Sequence, residues 1–190
     1  EKLSLDPKEH ALIIAPTREL AMQIEAELKK FCQGLPLFAA VCVGGMPIGK
    51  QIADLRRAPA FVIGTVGRIK DLAEKKALPL SAFGYVVLDE VDQMLDMGFV
   101  DDITRIMKSV REERQTLFFS ATMPPKIREL TAKFLKDPVA VEIAAPHKTV
   151  NIKQDIVRVA DRAKKFEELE RLLMRPELEK VLVFSETKRD

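Results

Sequence analysis

An alternation constrains this chain more than any other feature. Short apolar runs at Ala11 to Ala15, Phe38 to Val43, Phe61 to Ile63, Tyr85 to Leu88 and Leu117 to Phe119 are each followed by turn residues and then by a helical segment. The runs lack the strict polar–apolar alternation of a half-exposed sheet. They read as strands of a parallel sheet covered by helices on both faces, an α/β fold. Leu20, Ile24, Leu28 and Phe31 recur at three or four residues and predict a helix from Arg18 to Cys32, stopped by Gly34. Further helices are expected through Leu55, from Thr65 to about Lys75, from Asp101 to Arg111 and from Pro125 to Leu135, with a sixth strand at Val139 to Ile143. Asp101 and Asp102 at the start of the fourth helix and Lys108 and Arg111 at its end suit the helix dipole.

The periodicity fails between residues 144 and 150, where Ala-Ala-Pro-His-Lys-Thr-Val reads as a linker. It divides a first domain, residues 1–143, from a second segment, residues 151–190. The second segment predicts a strand (Ile152 to Val159), a helix (Asp161 to Met174, with Phe166, Leu169, Leu172 and Leu173 on one face) and a strand (Val181 to Phe184). So short a segment cannot bury a core of its own, which reads as the start of a larger unit.

Among 190 residues, 31 basic and 29 acidic side chains leave a net charge of +2. Bulk electrostatics therefore does not hold this chain to a polyanion, and any such contact must be local and geometric. The longest apolar stretch, Leu35 to Val43, is far below the roughly 20 residues of a membrane span, so no membrane association is expected. Cys32 and Cys42 have no histidine nearby, which disfavours zinc and makes a reducing, cytoplasmic setting the simplest expectation.

Parallel sheets bind ligands beyond the carboxyl ends of their strands. The residues found there are Pro16-Thr17-Arg18-Glu19-Leu20, Gly44-Gly45, Thr65-Val66-Gly67-Arg68, Asp89-Glu90-Val91-Asp92 and Ser120-Ala121-Thr122. A carboxylate at a strand tip suits a Mg²⁺ that bridges nucleotide phosphates, and an adjacent carboxylate can orient or deprotonate a water. The same acidic residues could instead form a solvated loop paired with surface lysines. Ser120 and Thr122 could hydrogen-bond that loop, or Thr122 could simply help start the helix at Pro125. Thr17, Gly44-Gly45 and Thr65 to Arg68 place hydroxyls, backbone N–H groups and arginines at helix starts, where phosphates bind; each alone also reads as ordinary capping. Gly44 to Gln51 fits G-x-x-x-x-G-K, but Gln51 stands where a phosphate loop needs Ser or Thr, and Pro47 removes a backbone N–H. That loop reading is disfavoured.

Taken in order, PTRELA, GG, TVGR, DEVD with the following Gln93 to Phe99, and SAT resemble the DEAD-box family of ATP-dependent RNA helicases, and Val183 to Lys188 resembles the first motif of that family's second domain. The resemblance implies two RecA-like, P-loop NTPase-type domains that close over ATP, Mg²⁺ and the backbone of an RNA strand, without sequence preference. Asp89 would act on Mg²⁺ through ATP phosphates and Glu90 on the hydrolytic water, while Asp92, Ser120 and Thr122 would link nucleotide state to RNA remodelling. Pro16, Thr17, Arg18, Glu19, Gly44, Gly45, Thr65, Gly67 and Arg68 would line the RNA. Two positions depart from the family pattern, Val66 in TVGR and Val91 in DEVD, and neither removes a catalytic atom. The family's phosphate loop, its glutamine-containing adenine motif and its arginine-rich last motif are not matched in these residues. The 190 residues alone are therefore expected not to hydrolyse ATP. A non-catalytic RNA-binding or scaffold module is the alternative reading, and a DNA helicase with a similar core is a third. The resemblance also places the phosphate-loop strand between the strands ending in DEVD and SAT. The gap is then expected to be filled by Val181 to Phe184, or by a strand exchanged with a second copy in a dimer.

Overall fold

The computed structural model describes residues 10–143, 153 and 155–185. The chain divides into two compact units, Glu1–Ala140 and Val141–Asp190. The expected linker, and Asn151, Ile152 and Gln154, fall outside the described residues, as do residues 186–190.

In the first unit the elements run β1 (His10–Ala15), α1 (Arg18–Phe31), β2 (Ala39–Cys42), α2 (Ile48–Leu55), β3 (Phe61–Thr65), α3 (Val66–Glu74), β4 (Phe83–Leu88), α4 (Val91–Asp96), α5 (Val100–Ser109), β5 (Gln115–Phe118) and α6 (Pro125–Phe134). All strand pairings are parallel, in the order β2-β3-β1-β4-β5. The pleat sends alternate side chains to opposite faces. On one face, Leu12, Ile14, Val62, Val86 and Leu88 join Ile69, Leu72, Met94, Ile103, Met107 and Ile127 from α3 to α6 in the main core. On the other, Ala15, Ala21, Val43 and Ile63 pack with Leu20, Ile24 and Leu28 of α1. Each fully buried Leu or Ile contributes about 1.5–3 kcal/mol relative to exposure. Leu20, Ile24 and Leu28 of the apolar face read from the sequence thus meet the sheet, whereas Phe31, expected on the same face, is 79% exposed at the helix end.

Both substitutions relative to the family pattern point into the core. Val66, the first residue of α3, and Val91, the first of α4, are both fully buried. Their branched side chains therefore fill core space and leave the rim unobstructed. Helix α4 was not expected, because DEVD read as a loop. Val91, Met94 and Leu95 supply a helical face, with Val91 and Met94 buried.

Three expectations are corrected. The strands ending in DEVD and SAT pair directly, in the register Tyr85↔Gln115 to Leu88↔Phe118, and Phe119 N–H donates to the Leu88 carbonyl at 2.9 Å. Neighbouring strands lie about 4.8 Å apart, so no further strand fits between them. The gap that motivated a strand-exchanged dimer does not exist at that place. Val139 to Ile143 forms no strand: Val139, Val141 and Ile143 are 90%, 84% and 87% exposed, because no neighbouring strand satisfies their backbone.

The third correction falls in the second unit, where α7 (Arg162–Leu173) forms as expected. Its N-cap Asp161 accepts a hydrogen bond from the Lys164 backbone N–H at 2.9 Å. The expected flanking strands do not form among the described residues, and Leu182 and Phe184 are left largely exposed. A strand needs a partner for its ladder, and this unit is too small to supply a sheet.

Candidate nucleotide and RNA rim

The carboxyl ends of all five strands lie along one edge of the sheet, and the motifs singled out in residues 10–143 sit on that edge. The order β2-β3-β1-β4-β5 sorts them. Gly44-Gly45, Thr65 to Arg68 and Pro16 to Glu19 follow the three adjacent strands β2, β3 and β1. The acidic and hydroxyl loops follow β4 and β5.

On the acidic side, the Asp89 backbone N–H donates to the Ile14 carbonyl at 3.0 Å, which fixes the loop to the tip of β1. The Asp89 carboxylate accepts the Glu90 N–H at 3.0 Å. Glu90 is exposed and adopts left-handed backbone angles, φ 51° and ψ 53°. Such a conformation costs a non-glycine residue about 1–2 kcal/mol, and strain of this kind clusters at functional sites. Val91 N–H then crosses to the Phe119 carbonyl at 3.0 Å. Asp92 completes the link: its Oδ2 accepts from both the backbone N–H and the hydroxyl of Thr122, each at 2.9 Å. The Ser120 hydroxyl donates to the Thr122 carbonyl at 2.7 Å and shapes the same turn. Burial pushes the Asp92 carboxyl up. The bonds from the Thr122 hydroxyl and N–H, the Ser120 hydroxyl and the Gln93 N–H outweigh that and hold it below its ordinary value.

This geometry decides between the two readings of Thr122. The residue before α6 is Pro124, whose side chain makes no capping bond, while Thr122 is turned to Asp92. DEVD and SAT therefore form one hydrogen-bonded unit.

On the other side, Thr17 caps α1 by accepting the Leu20 N–H at 3.2 Å. Arg18 and Glu19 are exposed, whereas Pro16 is buried and sets the turn. Arg18 Nη1 donates to the Gly44 carbonyl at 3.4 Å. Gly45 has φ +77°, and a Cβ there would collide with the Arg18 guanidinium. Thr65 occupies the N-cap of α3 without a capping bond from its side chain, and Gly67 is exposed. The Arg68 side chain is only 13% exposed. Its Nη1 donates to the Met46 carbonyl at 3.2 Å and to Gln51 Oε1 at 2.9 Å. Cys42, beneath this loop, is buried, and burial pushes its thiol up to about 12, with the Arg68 charge acting the other way and Asp54 with it. It is therefore a packing residue and no nucleophile at neutral pH.

The sequence reading treated Gln51 only as a misfit for a phosphate loop and missed its hydrogen bonds to this edge. Ile48, Gln51, Ile52 and Leu55 occupy one face of α2, and a polar residue within an apolar stripe was the available signal. A cleft of about 510 Å³ lined by Lys70, Leu78, Leu80 and Arg105 lies toward the amino ends of the strands and includes none of the motif residues.

A parallel α/β sheet joins DEVD to SAT on one rim and sets GG and TVGR beside them, with β4 and β5 paired directly where the helicase resemblance puts a further strand. A DEAD/DEAH box helicase model matches residues 1–130. The chain is 43% identical over 184 residues to the DEAD-box ATP-dependent RNA helicase CshA of Bacillus subtilis, covering 96% of this chain and 37% of that protein. It is 41% identical over 179 residues to the RNA helicase CrhR of a Synechocystis species, covering 94% of this chain and 36% of that one. A crystal structure of a hypothetical ATP-dependent RNA helicase from Sulfolobus tokodaii superposes with a TM-score of 0.65 at 36% identity, over 68% of this chain and 39% of that one. The chain belongs to the DEAD/DEAH box helicase family. It spans little more than a third of the length of these relatives.

Proposed function

We propose that this chain supplies the acidic half of an ATPase site and an RNA-backbone track to an ATP-dependent RNA helicase that works in the cytoplasm. The observation that carries the reading is the double hydrogen bond from Thr122 to Asp92. It joins a Mg²⁺-type carboxylate loop to the hydroxyl loop of the next strand, and a passive RNA binder has no use for such a joint.

The half-buried Asp89 carboxylate, held at a strand tip, is a hard oxygen donor of the kind Mg²⁺ prefers, and it fits one position in a shell otherwise made of phosphate and water oxygens. Bound there, the ion would neutralise phosphate charge during transfer. Glu90, exposed beside it, is placed to take a proton on its carboxylate from the attacking water as the terminal phosphoryl group leaves ADP. Asp92, Ser120 and Thr122 transmit the state of that loop to β5 and α6. Arg18, the Gly44-Gly45 backbone, Thr65 and the exposed N–H groups at Gly67 line the RNA track, where contacts to phosphates carry no sequence preference.

Two measurements test this. In the intact protein, Glu90→Gln is expected to lower RNA-stimulated ATP turnover at least about 100-fold while ATP binding persists. The 190 residues alone are expected to bind single-stranded RNA without hydrolysing ATP. Turnover near about 1 s⁻¹ by these residues would overturn the division of labour. Wild-type turnover in Glu90→Gln would overturn the assignment of the base.

A further inference from the structure

One buried group has no task in the reading above. Gln51 is the one buried polar or charged side chain among the described residues, 3% exposed on the core-facing side of α2. Burying an amide is unfavourable unless both its ends are satisfied. Both are. Its Nε2 donates to the Val43 carbonyl at 2.9 Å, and its Oε1 accepts from Arg68 Nη1 at 2.9 Å. The second hydrogen of that Nη1 goes to the Met46 carbonyl at 3.2 Å.

The carbonyls just before and just after Gly44-Gly45 are therefore tied to a single relay, Val43–Gln51–Arg68–Met46, which joins the end of β2, α2 and the start of α3. Arg18 holds the intervening Gly44 carbonyl from the exposed side at 3.4 Å. Two adjacent glycines, one at φ +77°, would otherwise be the most mobile backbone on the rim. We infer that Gln51 is a positioning residue: with the mostly enclosed Arg68, it preorganises the Gly44-Gly45 loop for RNA. This rests on the RNA reading of that edge. Arg68 thereby acts behind the loop, toward its carbonyls, more than as a phosphate contact in its own right.

The chemistry explains why a glutamine is needed. The bridge requires a donor and an acceptor on one terminal group, at a reach that spans from α2 to the loop. Methionine matches the shape and offers neither. Asparagine keeps the amide but is one methylene short. Glutamate would set a carboxylate against the Val43 carbonyl.

The test is a double-mutant cycle on this chain, Gln51→Met and Arg68→Ala singly and together, read in two ways. Binding of a short fluorescent oligouridine is followed by anisotropy, and the denaturant midpoint is measured without RNA. Gln51→Met is expected to weaken oligouridine binding about fivefold, and to add less than about 1.5-fold in the Arg68→Ala background. The shifts in midpoint are likewise expected to be non-additive. Ile103→Val, a core truncation on α5, is the control: it is expected to lower the midpoint and leave RNA affinity unchanged. Additive losses in both readouts, or unchanged RNA affinity in Gln51→Met, overturn the inference. If Gln51→Met does not fold, Gln51→Asn carries the same cycle with the same expected direction. A wild-type chain that binds no oligouridine overturns the RNA reading, while additive or non-additive midpoints still decide the relay.

Discussion

The two halves of the rim are held by opposite means. Over β4 and β5, the DEVD and SAT loops meet through solvent-facing bonds, with Asp92 Oδ2 accepting twice from Thr122. Over β1, β2 and β3, the glycine loop is held from beneath by a buried neutral amide and an arginine side chain that is 13% exposed. An exposed carboxylate link is cheap to break and is lost in acid. A buried amide relay is costly to break and indifferent to pH near neutrality. The acidic half is thus held by bonds open to water, and the glycine half by bonds enclosed in the fold.

The largest expected effect bears on the rigid half. Gly64 lies in β3 where a Cβ would sit 2.6 Å from the Cys42 carbonyl oxygen and 2.6 Å from Ile69 Cδ1. Because one neighbour is backbone, Gly64→Ala is expected to destabilise the chain by about 1–3 kcal/mol, read from chemical denaturation. A neutral result would mean that this half yields more readily than its packing implies. Asp92→Ala should cost less, about 1 kcal/mol, because its partners can turn to water. If it cost more than Gly64→Ala, the contrast between the halves would be wrong.

Acid sharpens the same contrast. Asp92 titrates below its ordinary value of about 3.9. Its stabilising contribution is therefore fully present above that value and is lost as pH falls through the lower value of the folded state. Thr122→Val removes the hydroxyl bond and is expected to raise the Asp92 pKa toward the ordinary range, measured by carboxyl NMR titration. An unchanged pKa would show that the joint is not made through that hydroxyl.

An effect about as small as that of Asp92→Ala is expected at Gly45→Ala. The new methyl meets only the tip of Arg18, a flexible side chain, so the cost reduces to that of a left-handed alanine, about 1 kcal/mol. A larger loss of stability would mean that the loop is held more tightly than its three carbonyl contacts account for.

Much of this was legible in the residues. Of the apolar stripe Leu20, Ile24, Leu28 and Phe31, the first three meet the sheet in α1 as the spacing predicts and Phe31 does not, since helical period marks a face but not how far along the helix the sheet reaches. Five strands were legible because buried parallel strands are continuous apolar runs. Val139 to Ile143 has the same composition and forms no strand, because pairing depends on a neighbour that composition does not encode. Helix α4 was hidden for a related reason. Its first turn is acidic, and only the burial of Val91 and Met94 turns DEVD into a helix start.

The order of motifs along the chain determined the family, the α/β class and the list of residues at the strand tips, because each motif is local and depends on nearest neighbours in sequence. Tertiary structure alone decided that β4 pairs directly with β5, that Thr122 turns to Asp92 and away from α6, and that Gln51 belongs to the glycine loop. The first two join residues 30 positions apart, and the third ties Gln51 to Val43 eight positions back and to Arg68 17 positions on. Which distant partner satisfies a buried or strand-edge polar group is settled only when the whole sheet closes around it.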